Sequence, residues 1–193
     1  MARTKAFNPD EVLDSAVLIF WAKGFDNTSM QDLVSGMGIN RGSLYDTFGD
    51  KHALYLAALD RYVEKFLPAN NLNNSDPTLV RDILSKAFDH IINGCCSEGL
   101  DHGCMVTNSI CELCDQDSEI SGRLKHMMST YEDMLCGLIA RAQGVGEIDP
   151  ARDPRALACF FLSSMQGLLV LRKLSYEKAQ LRQVADQALL ALS

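Results

Sequence analysis

GINRGSLYDTFGDKHAL, residues 38–54, decides how the rest of this chain is read. Asn40 is placed to cap a very short helix, RGSLYDTF, in which Leu44 and Phe48 share one face while Arg41, Gly42 and Tyr45 lie elsewhere. Just upstream, Thr28 and Gln31 have the spacing of a capping box in front of MQDLVSGM, where Met30, Leu33 and Val34 share a face. The Gly36-Met37-Gly38 run ends that helix after about two turns. Two short helices joined by a tight glycine turn predict a helix-turn-helix. A first helix precedes them. Asn8 is its N-cap, Pro9 its first residue, Asp10 and Glu11 sit in its first turn, and Leu13, Ala16, Val17 and Phe20 follow at helical spacing up to Lys23-Gly24.

Helical spacing continues downstream. HALYLAALDRYVEKFL, from His52, predicts a longer fourth helix ended by Pro68, and the Asn-rich ANNLNNSDPT is the clearest loop. Further helices are predicted near 77–94, 101–115, 117–143, 153–173 and 176–192, with Asp153-Pro154 and Ser175 starting the last two. No stretch alternates convincingly as a strand. The fold class is therefore all-α, an N-terminal three-helix unit over residues 1–51 followed by a larger helical body over 52–193.

Composition limits the function classes. The 193 residues suffice to bury a core, and 47% hydrophobic content with only 5 prolines is ordinary for a globular protein. MARTKAFNPDEV has no apolar run behind its basic residues, so no secretory signal is expected and the reading is cytoplasmic. ALACFFLSSMQGLLVL, residues 156–171, is shorter than the roughly 20 apolar residues of a spanning helix and carries polar residues, which favours a buried helix and no membrane association. The net charge of −7 argues against nonspecific attraction to phosphate. Residues 1–52 hold five cations, Arg3, Lys5, Lys23, Arg41 and Lys51, against seven acids, a local balance of −2. Charge alone does not lead to DNA.

The helix-turn-helix does. Its second helix enters the major groove, where residues near its N-terminus reach base edges. Gly42 leaves room for close approach, Arg41 and Ser43 can hydrogen-bond to bases or phosphates, and Tyr45 and Lys51 suit phosphates. The same pattern also fits a small three-helix core with no DNA role. The run AVLIFWAKGFDNTSMQDLVSGMGINRGSLYDTFGDKHAL, residues 16–54, settles on a more specific comparison, because its GF, TS, GI, GSLY and F-G-D-K elements fall in the order and spacing of one family. It resembles the DNA-binding region of the TetR (tetracycline-repressor) family of bacterial transcription regulators. The resemblance implies that Thr28, Tyr45 and Lys51 hold phosphates, that Arg41, Gly42 and Ser43 face the bases, and that Arg3 and Lys5 form a minor-groove arm. Thr47 departs from the aromatic or histidine common there. Asp46 brings a negative charge to the DNA-facing helix, either to accept from a cytosine amino group or to cap locally.

A helix-turn-helix that reads one half-site gains by doubling, so double-stranded operator DNA and a homodimer are the expected partners. Phe160, Leu162, Met165, Leu168, Leu169 and Leu171, with Ser163, Ser164 and Gly167 allowing close approach, are the candidate dimer face, joined by Leu181, Val184, Ala188 and Leu189. Filling the monomer's own core is the alternative use of these residues. By resemblance, the middle helices enclose a pocket for an unknown small-molecule effector, and Phe88, Met105, Met127, Met128, Tyr131 and Met134 are the candidate lining.

Seven cysteines are an odd number, expected as thiols. Cys95, Cys96, Cys104, Cys111 and Cys114 crowd together near His90 and His102. They could bind a soft metal, sense oxidants or electrophiles through Cys104, Cys111 or Cys114, or be structural. GCMVTNSICELCD, residues 103–115, resembles a segment found in a broad branch of the same family. The competing class is a helical thiol oxidoreductase using Cys111-x-x-Cys114, but that motif belongs in a strand-preceded setting that the chain lacks. No nucleotide loop, zinc-protease helix or serine triad is present, and no cofactor, metal or catalytic residue is expected.

Overall fold

The structure is a computed structural model and describes residues 7–66, 79–94 and 102–192. Arg3 and Lys5, Pro68 with the Asn-rich loop, and Cys95 and Cys96 lie outside the described residues. Nine helices run through the described residues, with no strand: α1 Pro9–Lys23, α2 Met30–Met37, α3 Arg41–Phe48, α4 Lys51–Phe66, α5 Val80–Asn93, α6 Met105–Leu113, α7 Ser118–Gly144, α8 Pro154–Lys173 and α9 Lys178–Leu189, the last followed by a 3-10 turn Leu190–Leu192. The all-α expectation holds. Helix ends move by a few residues, and the predicted 101–115 helix contracts most, to α6.

The chain forms two compact units. One contains α1 to α4, α6 and the first residues of α7, up to Leu124. Its core is an apolar seam between α1 (Val12, Ala16, Val17, Phe20, Trp21) and α4 (Leu54, Tyr55, Ala58, Leu59, Tyr62), all buried. Phe20 meets Tyr55 edge-on at 4.9 Å between ring centroids, and Trp21 meets Tyr62 at 5.1 Å. At its edge, Arg61 and Lys65 of α4 hold the Asp14 carboxylate of α1 at 2.8 and 2.7 Å, and these cations draw its pKa below the ordinary value. This seam explains why α4 sits with the N-terminal helices, whereas the sequence placed a boundary at 51/52. An α1 that buries five side chains along one face needs a partner longer than α2 or α3 can supply.

Within the same unit, Tyr55 hydroxyl and Ser109 Oγ of α6 lie 2.7 Å apart, and burial pushes the Tyr55 pKa up to about 12. The start of α7 is capped by Asp117. Its Oδ1 accepts from the backbone N–H of Glu119 and Ile120 at 3.0 and 2.9 Å, and its Oδ2 lies 2.9 Å from His52 Nε2 on α4. The Ile120 N–H first, and then the His52 side chain, hold the Asp117 carboxyl below its usual range. A depressed folded-state pKa means that this stabilisation is present above the unfolded carboxylate pKa, roughly 3.9, and is lost as pH falls through the lower folded value. Asp117→Ala is therefore expected to lower the urea midpoint at pH 7, and its deficit against the parent protein is expected to shrink as the pH is taken to 3. A deficit independent of pH over that range would show that the charge contributes nothing.

The second unit contains α5, α7 from Lys125, α8 and α9. Helix α5 is anchored at both ends by distant residues whose charges oppose the helix dipole. The Glu147 carboxylate accepts from the N–H groups of Val80 and Arg81 at 2.9 and 3.1 Å, and the buried Arg172 donates to the Ile91 carbonyl at 2.6 Å. Asp153 caps α8 by accepting from Arg155 N–H, and Pro154 takes the first helical position, as the sequence indicated. Helix α9 begins later than expected: Glu177 caps it, while Ser175 adopts φ 61° in the connection. The candidate dimer residues divide. Leu162, Met165, Leu168, Leu169, Leu181, Ala188 and Leu189 are buried within this unit, because α8 packs on both α5 and α9 and spends most of its apolar surface there. Phe160 and Val184 remain exposed, Leu171 is half-buried, and a Cβ added at Gly167 would meet nothing; Val170 and Leu174, which the sequence did not single out, are exposed as well.

Candidate nucleic-acid interface

Helices α2 and α3 are each fixed by a local cap. Ser29 rather than Thr28 caps α2: its side chain accepts from Asp32 N–H, and Asp32 in turn accepts from the Ser29 N–H and hydroxyl. Lys23 at the end of α1 reaches the other Asp32 oxygen at 2.6 Å, and the lysine and Ser29 together hold the Asp32 carboxyl well below the ordinary range. Gly38 closes α2 in the left-handed conformation, φ 66°, which a side chain would strain. Asn40 then accepts from the Ser43 N–H at 2.8 Å and starts α3 as predicted.

Leu44 is fully buried, Phe48 half-buried, and Arg41, Gly42, Tyr45 and Asp46 form the exposed side of α3. The Arg41 guanidinium lies 5.9 Å from the Tyr45 ring centroid, an arrangement that extends it along the outer face. Gly42 is exposed, and a Cβ there would stand 3.3 Å from the Asn40 side-chain oxygen, a tight contact with the cap of α3. Ser43 is half-buried. Lys51, the first residue of α4, places its ammonium 4.4 Å from the Phe25 ring centroid. The ring holds the charge near the start of α4 without neutralising it.

Thr28 behaves differently. It is 1% exposed, and its hydroxyl donates to the Gly24 carbonyl at 2.6 Å, so that hydroxyl closes the end of α1 instead of facing solvent. The sequence also gave no sign of Glu112. From α6 its carboxylate accepts the N–H groups of Phe25 and Asp26 at 3.1 and 2.9 Å, and a Cβ at Gly24 would come within 2.7 Å of it. The turn leading into α2 is thus tied to a residue 87 positions away. No local pattern announces such a contact.

Among the cysteines described, Cys104 is buried directly before α6, Cys111 is exposed on it, and Cys114 is half-buried at its C-terminal cap. Among the described residues, no three His, Cys, Asp or Glu side chains are grouped to hold a metal ion. The candidate effector contacts fall in both units. Phe88 is fully buried in the second unit, 6.3 Å from the Phe161 ring, while Met105 is buried in the first. Met127, Met128, Tyr131 and Met134 are half-exposed on α7.

Family models match the helix-turn-helix and, separately, the C-terminal part of the chain. Residues 12–58 match the model of bacterial regulatory proteins of the tetR family, and residues 81–188 match the tetracyclin repressor-like C-terminal domain. The chain belongs to the TetR family. It is 30% identical over 188 residues to the HTH-type transcriptional repressor ComR of Escherichia coli, covering 97% of this chain and 90% of that protein. It is likewise 30% identical along its full length to the full length of the uncharacterized HTH-type transcriptional regulator YezE of Bacillus subtilis. A cysteine mutant of the TetR family transcriptional regulator CifR, solved in complex with a 26 bp double-strand operator DNA, superposes with a TM-score of 0.88 at 24% identity, covering 99% of this chain and 100% of that one. Like other members of the TetR family, the chain is a transcriptional regulator, and the helices that the sequence assigned to DNA reading lie inside the N-terminal match.

Proposed function

We propose that this TetR-family chain is a cytoplasmic repressor that binds two-fold operator DNA as a homodimer and leaves it when an effector binds or a thiol is modified. The observation that carries this reading is the outer side of α3, where Arg41, Gly42 and Tyr45 are exposed at the end that a helix-turn-helix presents to the major groove. Arg41 suits a guanine edge, and Tyr45 and Lys51 suit phosphates. A second copy is the proposed cover for exposed Phe160 and Val170 on α8, Leu174 just after it, and Val184 on α9. Supporting relatives are the repressor ComR and the operator-bound CifR mutant.

Release requires a ligand with different affinities for the DNA-competent and incompetent states. Met127 and Tyr131, half-exposed on α7, are the proposed small-molecule contacts; Cys111 is the accessible candidate for thiol chemistry. Binding of a labelled duplex from the protein's own promoter region tests the reading. Arg41→Ala is expected to weaken binding and relax preference at one base position by about 1–3 kcal/mol, whereas Lys51→Ala weakens all sequences alike and lowers the salt slope by about 1. Unaltered affinity in both variants would show that α3 is not the reader.

A further inference from the structure

We infer that Asp46 reads a base, accepting a hydrogen bond from a cytosine amino group in the major groove; the assignment rests on the DNA-binding reading above and deepens it. Three observations converge on it. The first is that Asp46 is exposed and, among the described residues, its side chain takes part in no hydrogen bond or ion pair. Three other acids of this unit are occupied: Asp32 caps α2 and pairs with Lys23, Asp50 accepts from Ala53 N–H at 2.8 Å at the start of α4, and Asp14 pairs with Arg61 and Lys65. Asn40 already caps α3, so Asp46 has no local capping task.

The second is its position. Gly42 and Asp46 are separated by four residues and share one stripe of α3, opposite the buried Leu44. A helical side chain leans toward the N-terminus and covers the surface of the preceding turn. The Asp46 carboxylate therefore leans over the exposed turn that Gly42 leaves without a side chain.

The third is chemical. A carboxylate only accepts hydrogen bonds, and phosphates repel it, so within a groove its favourable partner is an amino group. Adenine presents its amino group beside the N7 acceptor, which opposes a carboxylate. Cytosine presents its N4 amino group without such a neighbour on the same base. An asparagine at this position would reverse the choice, because its amide pairs with both N6 and N7 of adenine.

Selection from a pool of randomised DNA duplexes tests the assignment with the full-length parent protein, Asp46→Asn and Asp46→Ala. The parent is expected to enrich cytosine at one position of each half-site. Asp46→Asn should enrich adenine there, and Asp46→Ala should lose the preference at that position alone, with roughly tenfold weaker binding of the cytosine-bearing duplex. Identical base preferences in all three proteins, with Asp46→Ala binding every duplex more tightly, would overturn the assignment and leave the carboxylate as a source of repulsion only. A parent protein that enriches no sequence would overturn the assignment together with the DNA-binding reading.

Discussion

Phe20→Ala should lower the stability of the unit that carries α3 by about 3–5 kcal/mol, the cost of emptying a buried phenylalanine site. Phe20 is 1% exposed and lies in the middle of the α1–α4 seam, edge-on to Tyr55 and 6.4 Å from the Phe25 ring. Truncation removes the transfer energy of the ring, leaves a cavity, and forfeits an aromatic pair worth about 0.5–1.5 kcal/mol beyond its area. Trp21 is the chain's single tryptophan and stands in the same seam, against Tyr62, so its emission reports this unit during urea unfolding. A shift of under about 1 kcal/mol, on the scale of a surface substitution, would mean that the seam does not hold the unit together. Phe20→Leu should recover part of the loss, since a smaller void remains.

Local signals in the sequence located the elements well. Asn8-Pro9, Asn40 and Asp153-Pro154 mark the starts of α1, α3 and α8 because a cap acts within three residues of itself. Where two polar residues compete for one cap, pattern alone did not choose: Thr28 and Ser29 both qualify, and the burial of Thr28 against the Gly24 carbonyl leaves Ser29 at the α2 start. The same ambiguity placed the α9 start at Ser175 instead of Glu177.

Long-range partners were illegible. Glu112 on the 24–26 turn, Glu147 on the start of α5 and Arg172 on the Ile91 carbonyl each join residues at least 66 positions apart, and nothing in their neighbourhood specifies the acceptor or donor. Nor does helical spacing reveal how many faces a helix buries. Leu162, Met165, Leu168 and Leu169 read equally well as core or as dimer face, and only the packing of α8 against α5 and α9 assigns them to the core. Of the residues proposed to meet DNA, the exposure of Arg41, Gly42 and Tyr45 was legible, because an eight-residue helix with one buried leucine leaves few choices of outer face. The side chain of Thr28 was not, since its burial depends on where α1 ends.

Gly42→Leu carries the second large effect, and it separates folding from binding. The added Cβ would stand 3.3 Å from the Asn40 side-chain oxygen that caps α3, so the cap must shift slightly, while leucine is a better helix former than glycine by about 0.5–1 kcal/mol; the two effects oppose each other and the melting curve should stay close to the parent's. On DNA the same side chain would hold α3 off the groove floor. Losing two base contacts worth about 1–3 kcal/mol each corresponds to a drop in affinity on the order of 100-fold or more.

The most direct measurement of the central claim is a titration of the promoter-region duplex with parent protein and Gly42→Leu at matched salt, thiols kept reduced, with thermal melts of both. The account predicts tight binding by the parent, loss on that scale in the variant, and unchanged melting. Equal binding by the two folded proteins, or no binding by the parent at low salt, would contradict the claim that the backbone of α3 lies against the edges of the bases.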